Sequence, residues 1–238
     1  MEEGVTWYPE QGTPQGGVVS PLLSNIFLHE VLDTWFEQVV KPRMRGRAFM
    51  VRFADDAVLV FEKEDDAKRV MSVLPQRFGK YGLTLHPEKT RLVDFRRPGG
   101  NPREATGECF DMLGFTHYWG KSRKGKWVVA RKTAKSRLSR AVKRIGRWCQ
   151  EQRHQRLEDQ QLALNRKLRG HYGYYGVTGN FRALVHFRRA VERLWRKWLS
   201  RRSRKAHLHW EAFRRLLHHY PLAPPRIVHS VYAAAAKP

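Results

Sequence analysis

Cysteine is scarce in this sequence of 238 residues, which contains only Cys109 and Cys149 and no Cys-x-x-Cys pair. Two isolated thiols exclude a zinc site built from cysteines and suit a reducing compartment, where we expect both to be small buried residues. Long apolar runs are also lacking, because no segment approaches the roughly 20 residues that cross a bilayer as a helix. A membrane-spanning protein is therefore not expected.

Acidic residues are scarce as well, but only in the second half of the chain. The whole sequence has 46 Lys and Arg against 22 Asp and Glu, a net charge of +24. Residues 1–120 hold 15 basic and 17 acidic residues, whereas residues 121–238 hold 31 and 5, a net charge of +26. Such a field favours a polyanionic partner, and nucleic acid fits better than a membrane surface. The shift predicts a domain boundary near Gly120, with residues 120–126 as a linker or turn.

The acidic half contains a pattern that is typical of metal-dependent chemistry. In residues 50–61, MVRFADDAVLVF, two β-rich runs flank Asp55 and Asp56, which predicts a strand–turn–strand hairpin. Adjacent carboxylates repel each other unless water or a cation separates them, and Mg²⁺ prefers such oxygen ligands. A solvated Asp-Asp turn without a metal is the alternative. Upstream, the Gly-rich residues 11–17 precede a helix from Ser20, an arrangement that can bind phosphate or can simply be a tight loop.

The remaining elements of this half predict a mixed fold. The helix from Ser20 should bury one face, with Leu22, Leu23, Ile26, Phe27, Val31 and Trp35. A second helix follows residues 64–66, and strands are predicted at residues 91–95 and 110–115. This order of helix, hairpin, helix and strands predicts an α+β fold with an antiparallel sheet.

The basic half shows helical periodicity throughout. Ala134, Leu138, Ala141, Ile145 and Trp148 recur at spacings of four and three, with basic residues between them. Further helices are predicted over residues 157–175 and 180–200, which together indicate a small bundle. The histidines of residues 207–219 have no acidic or cysteine companions, so a surface position is expected for them instead of a zinc site.

Four segments resemble motifs of the reverse transcriptases encoded in bacterial group II introns. GTPQGGVVSPLLSNIFLHEVLD (residues 12–33) resembles the motif that contacts template and nucleotide, and VRFADDAVLVF (51–61) the YADD catalytic hairpin, with Phe53 in place of Tyr. GLTLHPEKT (82–90) resembles the next palm motif and FDMLGF (110–115) the primer grip, with Met112 in place of an aromatic residue. LNRKLRGHYGYYGVTGNFRAL and HWEAFRRLLHHYPLAPPRIVH resemble the maturase-specific region of this family.

The resemblance implies three domains: a partial polymerase palm (1–120), an all-α helical thumb or maturase domain (121–204) and a basic C-terminal extension of the maturase region (205–238). It implies an RNA-directed DNA polymerase that uses two Mg²⁺ ions, with Mn²⁺ as an alternative, held by Asp55 and Asp56. Lys89 would contact phosphate or protonate pyrophosphate, unless it is only a surface lysine. Nucleotide and template would be bound by Gln15, Gly16, Gly17 and Phe53, and the primer by Leu113 and Gly114.

The expected partners are intron RNA and a DNA primer or target, with neither membrane nor zinc, in a cytoplasmic ribonucleoprotein. The residues expected to bind RNA are Arg137, Arg140, Lys143, Arg144, Arg147, Lys167, Arg169, Arg188, Arg189 and Arg193. In the family, a further Asp of an earlier palm strand completes the metal site, and none precedes Gly12 here. We therefore expect a C-terminal portion that is inactive alone and active when an N-terminal polypeptide completes it. An RNA-binding maturase module, or a truncated remnant, without catalysis is the alternative.

Overall fold

A computed structural model of the chain describes residues 18–99, 108–122, 124–203 and 207–230. The chain divides into two compact units, Met1–Val93 and Asp94–Pro238. The change in charge at Gly120 does not coincide with this division, because Gly120 lies inside a strand of the second unit. Two paired strands lie on either side of the change in charge, and the N–H of Ser122 donates to the carbonyl of Lys126 where they join, so the change falls within one hairpin.

The first unit consists of a long helical run, a hairpin and a second helix. Helix α1 continues directly into two π-helical segments and a short 3₁₀ turn. These elements are α1 (Ser20–Leu28), the π-helical segments His29–Thr34 and Phe36–Val40, and the 3₁₀ turn Lys41–Arg43. Strands β1 (Ala48–Phe53) and β2 (Asp56–Phe61) pair antiparallel in a continuous register from Ala48 with Phe61 to Phe53 with Asp56. Helix α2 (Glu64–Gly79) follows.

The core of the first unit is formed by the π-helical segments, β1 and α2. Its buried residues are Leu32, Trp35, Phe36, Val40, Ala48, Val70, Leu74 and Phe78. The expectation that α1 buries an apolar face is wrong for its first two turns. Leu22, Leu23, Ile26 and Phe27 are 42 to 61% exposed. The helical period places these residues on the helix correctly, but no residue of α1 is buried in the described structure.

The second unit combines a three-stranded antiparallel sheet with four helices. The sheet has the order β3–β4–β5, from β3 (Phe110–Met112), β4 (Phe115–Lys121) and β5 (Trp127–Thr133). The helices are α3 (Lys135–Glu151), α4 (Leu157–Tyr175), α5 (Phe181–Leu199) and α6 (Trp210–His219). The helices predicted over residues 157–175 and 180–200 are thus present within one residue of their predicted ends, and α3 contains most of the periodic residues from Ala134 to Trp148.

The helical core extends into the chain that follows α5. Trp195 and Phe213 are fully buried and meet edge to face at 5.8 Å between ring centroids. Residues 220–229 cross α4, where Asn165 accepts the N–H of Ala223 and donates to the carbonyl of Pro221. Within the predicted C-terminal extension, apolar residues between Leu208 and Ile227 therefore pack into the same core as the three preceding helices.

Residues 91–95 form no strand, which contradicts the prediction for this segment. Phe95 is held instead by side-chain packing, because its ring stacks on Trp119 and its carbonyl accepts the indole N–H at 3.0 Å. The α+β class is confirmed, with two separate antiparallel sheets in the described part of the chain. Within that part, none of the helices is both long enough and apolar enough to span a membrane.

Candidate functional site

The Asp55–Asp56 pair lies at the turn of the β1–β2 hairpin, as predicted. Phe53 pairs with Asp56, so Ala54 and Asp55 form a two-residue turn. Ala54 has a φ of 53°, a left-handed conformation that is unfavourable for a residue other than glycine. Both carboxylates are exposed to solvent. The fold therefore presents two adjacent acidic side chains at the end of a short and well-defined hairpin.

Arg52 holds this turn against the helical run of the same unit. Its Nε and Nη2 donate to Oδ1 and Oδ2 of Asp33 at 2.7 and 2.6 Å, a bidentate pair. Its Nη1 donates to the carbonyl of Ala54 at 2.8 Å and to Oδ1 of Asn25 at 3.0 Å. One guanidinium thus connects the backbone of the acidic turn to α1 and to the first π-helical segment.

The charges of this clamp reinforce each other. The hydrogen bonds from Arg52 hold the pKa of the Asp33 carboxyl below its usual value, with His29 adding a smaller effect, although partial burial acts in the opposite direction. The same pair raises the pKa of Arg52. The side chains of Arg52 and Asp33 are 13% and 23% exposed, so the pair is only partly screened by water. Arg52 binds both oxygens of Asp33, whereas Asp55 and Asp56 beside the clamped turn face solvent.

The donor set at the turn fits Mg²⁺ that is shared with a substrate. Mg²⁺ in proteins usually retains several waters and takes one or two carboxylates together with substrate phosphates. Asp55 and Asp56 supply two such carboxylates on adjacent residues. Across residues 18–99, 108–122, 124–203 and 207–230, no group of three or more His, Cys, Asp or Glu side chains is placed to hold a metal ion. Further ligands must come from substrate, water or other carboxylates.

The structure says less about the other predicted nucleotide-binding and catalytic residues of the first unit. Phe53 is 63% exposed at the end of β1. Lys89 is exposed in a turn in which the carbonyl of His86 accepts its backbone N–H at 3.3 Å, and its catalytic role stays a prediction. Gln15, Gly16 and Gly17 lie outside the described residues.

Leu113 and Gly114, the predicted primer grip, form the two-residue turn between β3 and β4. Their φ angles of 51° and 77° are both positive, as a type I′ hairpin turn requires. The hydroxyl of Tyr174 donates to the carbonyl of Leu113 at 2.9 Å. A Cβ on Gly114 would lie 2.9 Å from the hydroxyl of Tyr175. The end of α4 therefore fixes this turn tightly enough that only glycine fits at its second position.

The tyrosines of α4 act mainly as packing residues. Tyr172 is buried and its hydroxyl donates to the carbonyl of Ala223 at 3.2 Å. Tyr175 packs edge to face on Phe115 at 5.3 Å between ring centroids. Tyr174 stacks on Phe115 and remains 54% exposed, so one tyrosine keeps a surface that could contact a nucleic-acid base.

The basic residues predicted to bind RNA lie at the surface, with one exception. Those that are exposed are Arg137, Arg140, Lys143, Arg144 and Arg147 on α3, Lys167 and Arg169 on α4, and Arg189 and Arg193 on α5. Arg188 is only 32% exposed and pairs within the helix with Glu192 at 3.0 Å. The Nζ of Lys167 lies 5.3 Å from the ring centroid of Trp148. Burial of the apolar helix faces leaves these cations facing water.

A shallow groove of about 430 Å³ lies between α3 and α5. Its floor is formed by apolar side chains of both helices, and three potentially cationic side chains of α5 border it. The lining residues are Leu138, Val142, His186, Arg189, Ala190 and Arg193. Arg189 and Arg193 of this lining are placed to neutralise phosphates at the surface of α5.

Sequence reasoning missed Arg52, Asp33 and the hydroxyl of Tyr174. A signal for Arg52 existed, because it is a lone charge within an otherwise apolar strand next to the acidic turn. Asp33 ends a run with helical spacing and is four residues from His29, so its partner on a distant strand could not be inferred from the local pattern.

One comparison with known protein families gave a match. Residues 2–117 match the family model described as reverse transcriptase (RNA-dependent DNA polymerase). The matched range contains the acidic turn, Lys89 and the Leu113–Gly114 turn. The predicted resemblance to reverse transcriptases is therefore confirmed for this segment at the level of the general family. The comparison with curated protein sequences gave no match.

Proposed function

We propose that the chain is the C-terminal portion of an RNA-directed DNA polymerase and maturase of the group II intron type. The observation that supports this most directly is the solvent-facing Asp55–Asp56 turn, held by Arg52 within a segment that matches reverse transcriptases. Maturase activity is proposed because the helical unit carries most of the net charge of +26 of residues 121–238. Intron RNA and a DNA primer or target are the proposed partners, in a cytoplasmic ribonucleoprotein.

In the proposed mechanism, Asp55 and Asp56 would hold the divalent cations, which would neutralise charge on the triphosphate of the incoming nucleotide. Mg²⁺, or Mn²⁺ in its place, would activate the primer 3′-hydroxyl and stabilise the leaving pyrophosphate. Arg52 fixes the Ala54 carbonyl, so that the turn keeps its shape when the two carboxylates are drawn together. Lys89 would contact or protonate the pyrophosphate. The Leu113–Gly114 turn would support the primer strand.

An apolar surface on the first unit supports the requirement for a further polypeptide. Directly opposed strand residues share a face, so the exposed Phe49, Val51, Phe53 and Val60 form one apolar face of the β1–β2 hairpin. Each of these side chains is 51 to 63% exposed. A contiguous apolar surface of this kind marks an interaction site. We infer that the segment which covers it also supplies the additional carboxylate.

A second function is RNA binding by a maturase module without catalysis. The exposed arginines of α3 favour it, because this surface needs no contribution from the acidic turn. Binding to RNA should weaken steeply and log-linearly with salt if the cations neutralise phosphates. Binding that is insensitive to salt, or no binding at low salt, would exclude this function.

Primer extension on an RNA template with Mg²⁺ and deoxynucleotides tests catalysis. The folded chain is assayed alone and together with the fingers and upstream palm of a group II intron reverse transcriptase, supplied as a separate polypeptide. We expect extension in the mixture and its loss in Asp55→Asn, since removal of a metal ligand removes stabilisation of the transition state. Extension that survives Asp55→Asn, or a stable complex without extension, would contradict the catalytic proposal. The maturase proposal would then account for the chain.

A further inference from the structure

The hairpin formed by β4 and β5 lies in an unusually basic part of the sequence. From residue 112 to residue 150 there is no Asp or Glu, while there are twelve Lys and Arg. Six of these belong to helix α3. The other six lie within residues 121–132, and four of them fall in residues 120–126, which composition alone suggested as a linker or turn. A regular element of structure thus carries as much positive charge as helix α3.

The geometry of this hairpin is well defined. β4 and β5 pair without interruption from Phe115 with Thr133 to Lys121 with Trp127. At the tip, the N–H of Ser122 donates to the carbonyl of Lys126 at 2.8 Å, and the hydroxyl of Ser122 accepts the N–H of Lys126 at 3.1 Å. Lys124 and Lys126 are both exposed there. The tip therefore presents its cations on an ordered turn.

Two cation–π pairs place further lysines along the hairpin. The Nζ of Lys121 lies 5.3 Å from the ring centroid of Trp127, its direct cross-strand partner. The Nζ of Lys132 lies 4.9 Å from the ring centroid of Tyr118. Side chains alternate along a strand, so these pairs lie on opposite faces of the hairpin. Each face thus combines an exposed ammonium group with a half-buried aromatic ring.

The absence of a side chain at position 120 supports this arrangement. Gly120 lies on the same face as Tyr118, and a Cβ there would be 3.5 Å from Cε2 of Tyr118 and 3.3 Å from Cβ of Ala130. The Tyr118 ring therefore lies close to the backbone at Gly120, and the Nζ of Lys132 is over its face. Exposed valines, Val128 and Val129, continue the surface on each face at 42 and 48% exposure.

We propose that the β4–β5 hairpin is an arm that binds the sugar–phosphate backbone of RNA. Lys121, Lys124 and Lys126 contact phosphates at the tip, and Trp127 and Tyr118 provide aromatic surfaces for bases or riboses. That the bound polyanion is RNA rests on the proposed function, whereas the location of the basic surface on the β4–β5 hairpin is independent of it. A simpler role for such lysines is to prevent pairing at an open sheet edge, and that role predicts no contribution to RNA affinity.

The test measures RNA affinity of the full chain as a function of salt. The variant Lys121→Gln/Lys124→Gln/Lys126→Gln is compared with Lys63→Gln/Lys68→Gln/Lys80→Gln, which removes the same charge from the first unit. Fluorescence anisotropy with a single-stranded RNA of about 20 nucleotides gives log K against log salt. Three lost phosphate contacts should reduce the slope by about 2, because each contributes roughly 0.7 on single strands. The control should keep the wild-type slope.

The outcomes separate this proposal from the function on which it rests. If the wild-type chain does not bind RNA at low salt, RNA binding as a whole is contradicted. If it binds with a steep slope and the arm variant keeps that slope, only the arm is contradicted. If the arm variant fails to fold by circular dichroism, photocrosslinking of the wild-type chain to RNA that contains 4-thiouridine decides. Crosslinks to residues 115–133 are expected, and crosslinks confined to the helices would overturn the proposal.

Discussion

Replacement of Arg52 by Met should loosen the acidic turn by about 2 kcal/mol. The change leaves Asp33 without its bidentate partner and leaves the carbonyl of Ala54 without a side-chain donor. An exposed ion pair contributes about 0 to 1 kcal/mol, and loss of one partner of a buried pair costs about 3 to 5 kcal/mol. With side chains 13% and 23% exposed, the Arg52–Asp33 pair falls between these limits.

Hydrogen exchange followed by mass spectrometry measures this effect where it arises. Amides of the β1–β2 hairpin should exchange about 30-fold faster in Arg52→Met, since about 1.4 kcal/mol corresponds to a factor of ten. Asp33→Asn should have a similar effect, and the double variant should add little, which gives a coupling energy near 2 kcal/mol. Arg47→Met is the matched control, because its partner Glu62 is on the same hairpin and both side chains are largely exposed.

The coupling energy between Arg52 and Asp33 should decrease at low pH. The pKa of Asp33 is lowered in the folded state, so the stabilisation is fully present above its unfolded value of about 3.8. It should be lost as the pH falls through the lower, folded-state pKa, where Asp33 becomes protonated while Arg52 stays charged. A coupling energy below about 0.5 kcal/mol at pH 7, or one that persists after Asp33 is protonated, would refute this reasoning.

Three further predictions concern residues of the second unit: a buried tryptophan, a glycine in a turn and a buried cysteine. Trp195→Ala should cost about 3 to 5 kcal/mol, because Trp195 is fully buried, and an unchanged thermal midpoint by circular dichroism would contradict this. Gly114→Ala should lower the free energy of unfolding in urea by at least about 1 kcal/mol more than Gly82→Ala. Both glycines have a positive φ, but only a Cβ at position 114 would meet the Tyr175 hydroxyl, so equal losses of stability would argue against that contact. Burial raises the pKa of the Cys149 thiol to about 12, so iodoacetamide should label Cys149 only after unfolding, while the exposed Cys109 reacts in the native protein; native labelling mapped to Cys149 by mass spectrometry would contradict this.

The hairpin and the helices could be predicted because their signals are local. Two β-rich runs that flank a short acidic turn predict the hairpin without reference to the rest of the chain, although the structure places the two-residue turn at Ala54–Asp55 and Asp56 at the start of β2. Periodic apolar residues place α4 and α5 within one residue of the observed ends and locate α3, because burial of one face is what stabilises each helix.

The predictions that failed, and the contacts that were missed, depend on residues far away in the sequence. Residues 91–95 have the composition of a strand, but Phe95 stacks on Trp119 and meets Phe110 edge to face, and the segment pairs with no strand. The apolar residues of α1 predict a buried face, yet burial depends on an opposing surface that local periodicity does not reveal. The clamp of Arg52 on Asp33 joins residues 19 positions apart, and nothing in either local pattern indicates their contact.

Mn²⁺ binding tests most directly whether the acidic turn is a metal site. The signal of free Mn²⁺ in electron paramagnetic resonance is followed during titration of the full chain in the presence of a deoxynucleoside triphosphate. The account predicts that Asp55→Asn/Asp56→Asn loses the binding seen for the wild-type chain. The control Glu64→Gln/Asp65→Asn, an equal loss of charge at the start of α2, should retain it. Identical titrations for the wild-type chain and the Asp55/Asp56 variant would contradict the proposed role of the turn.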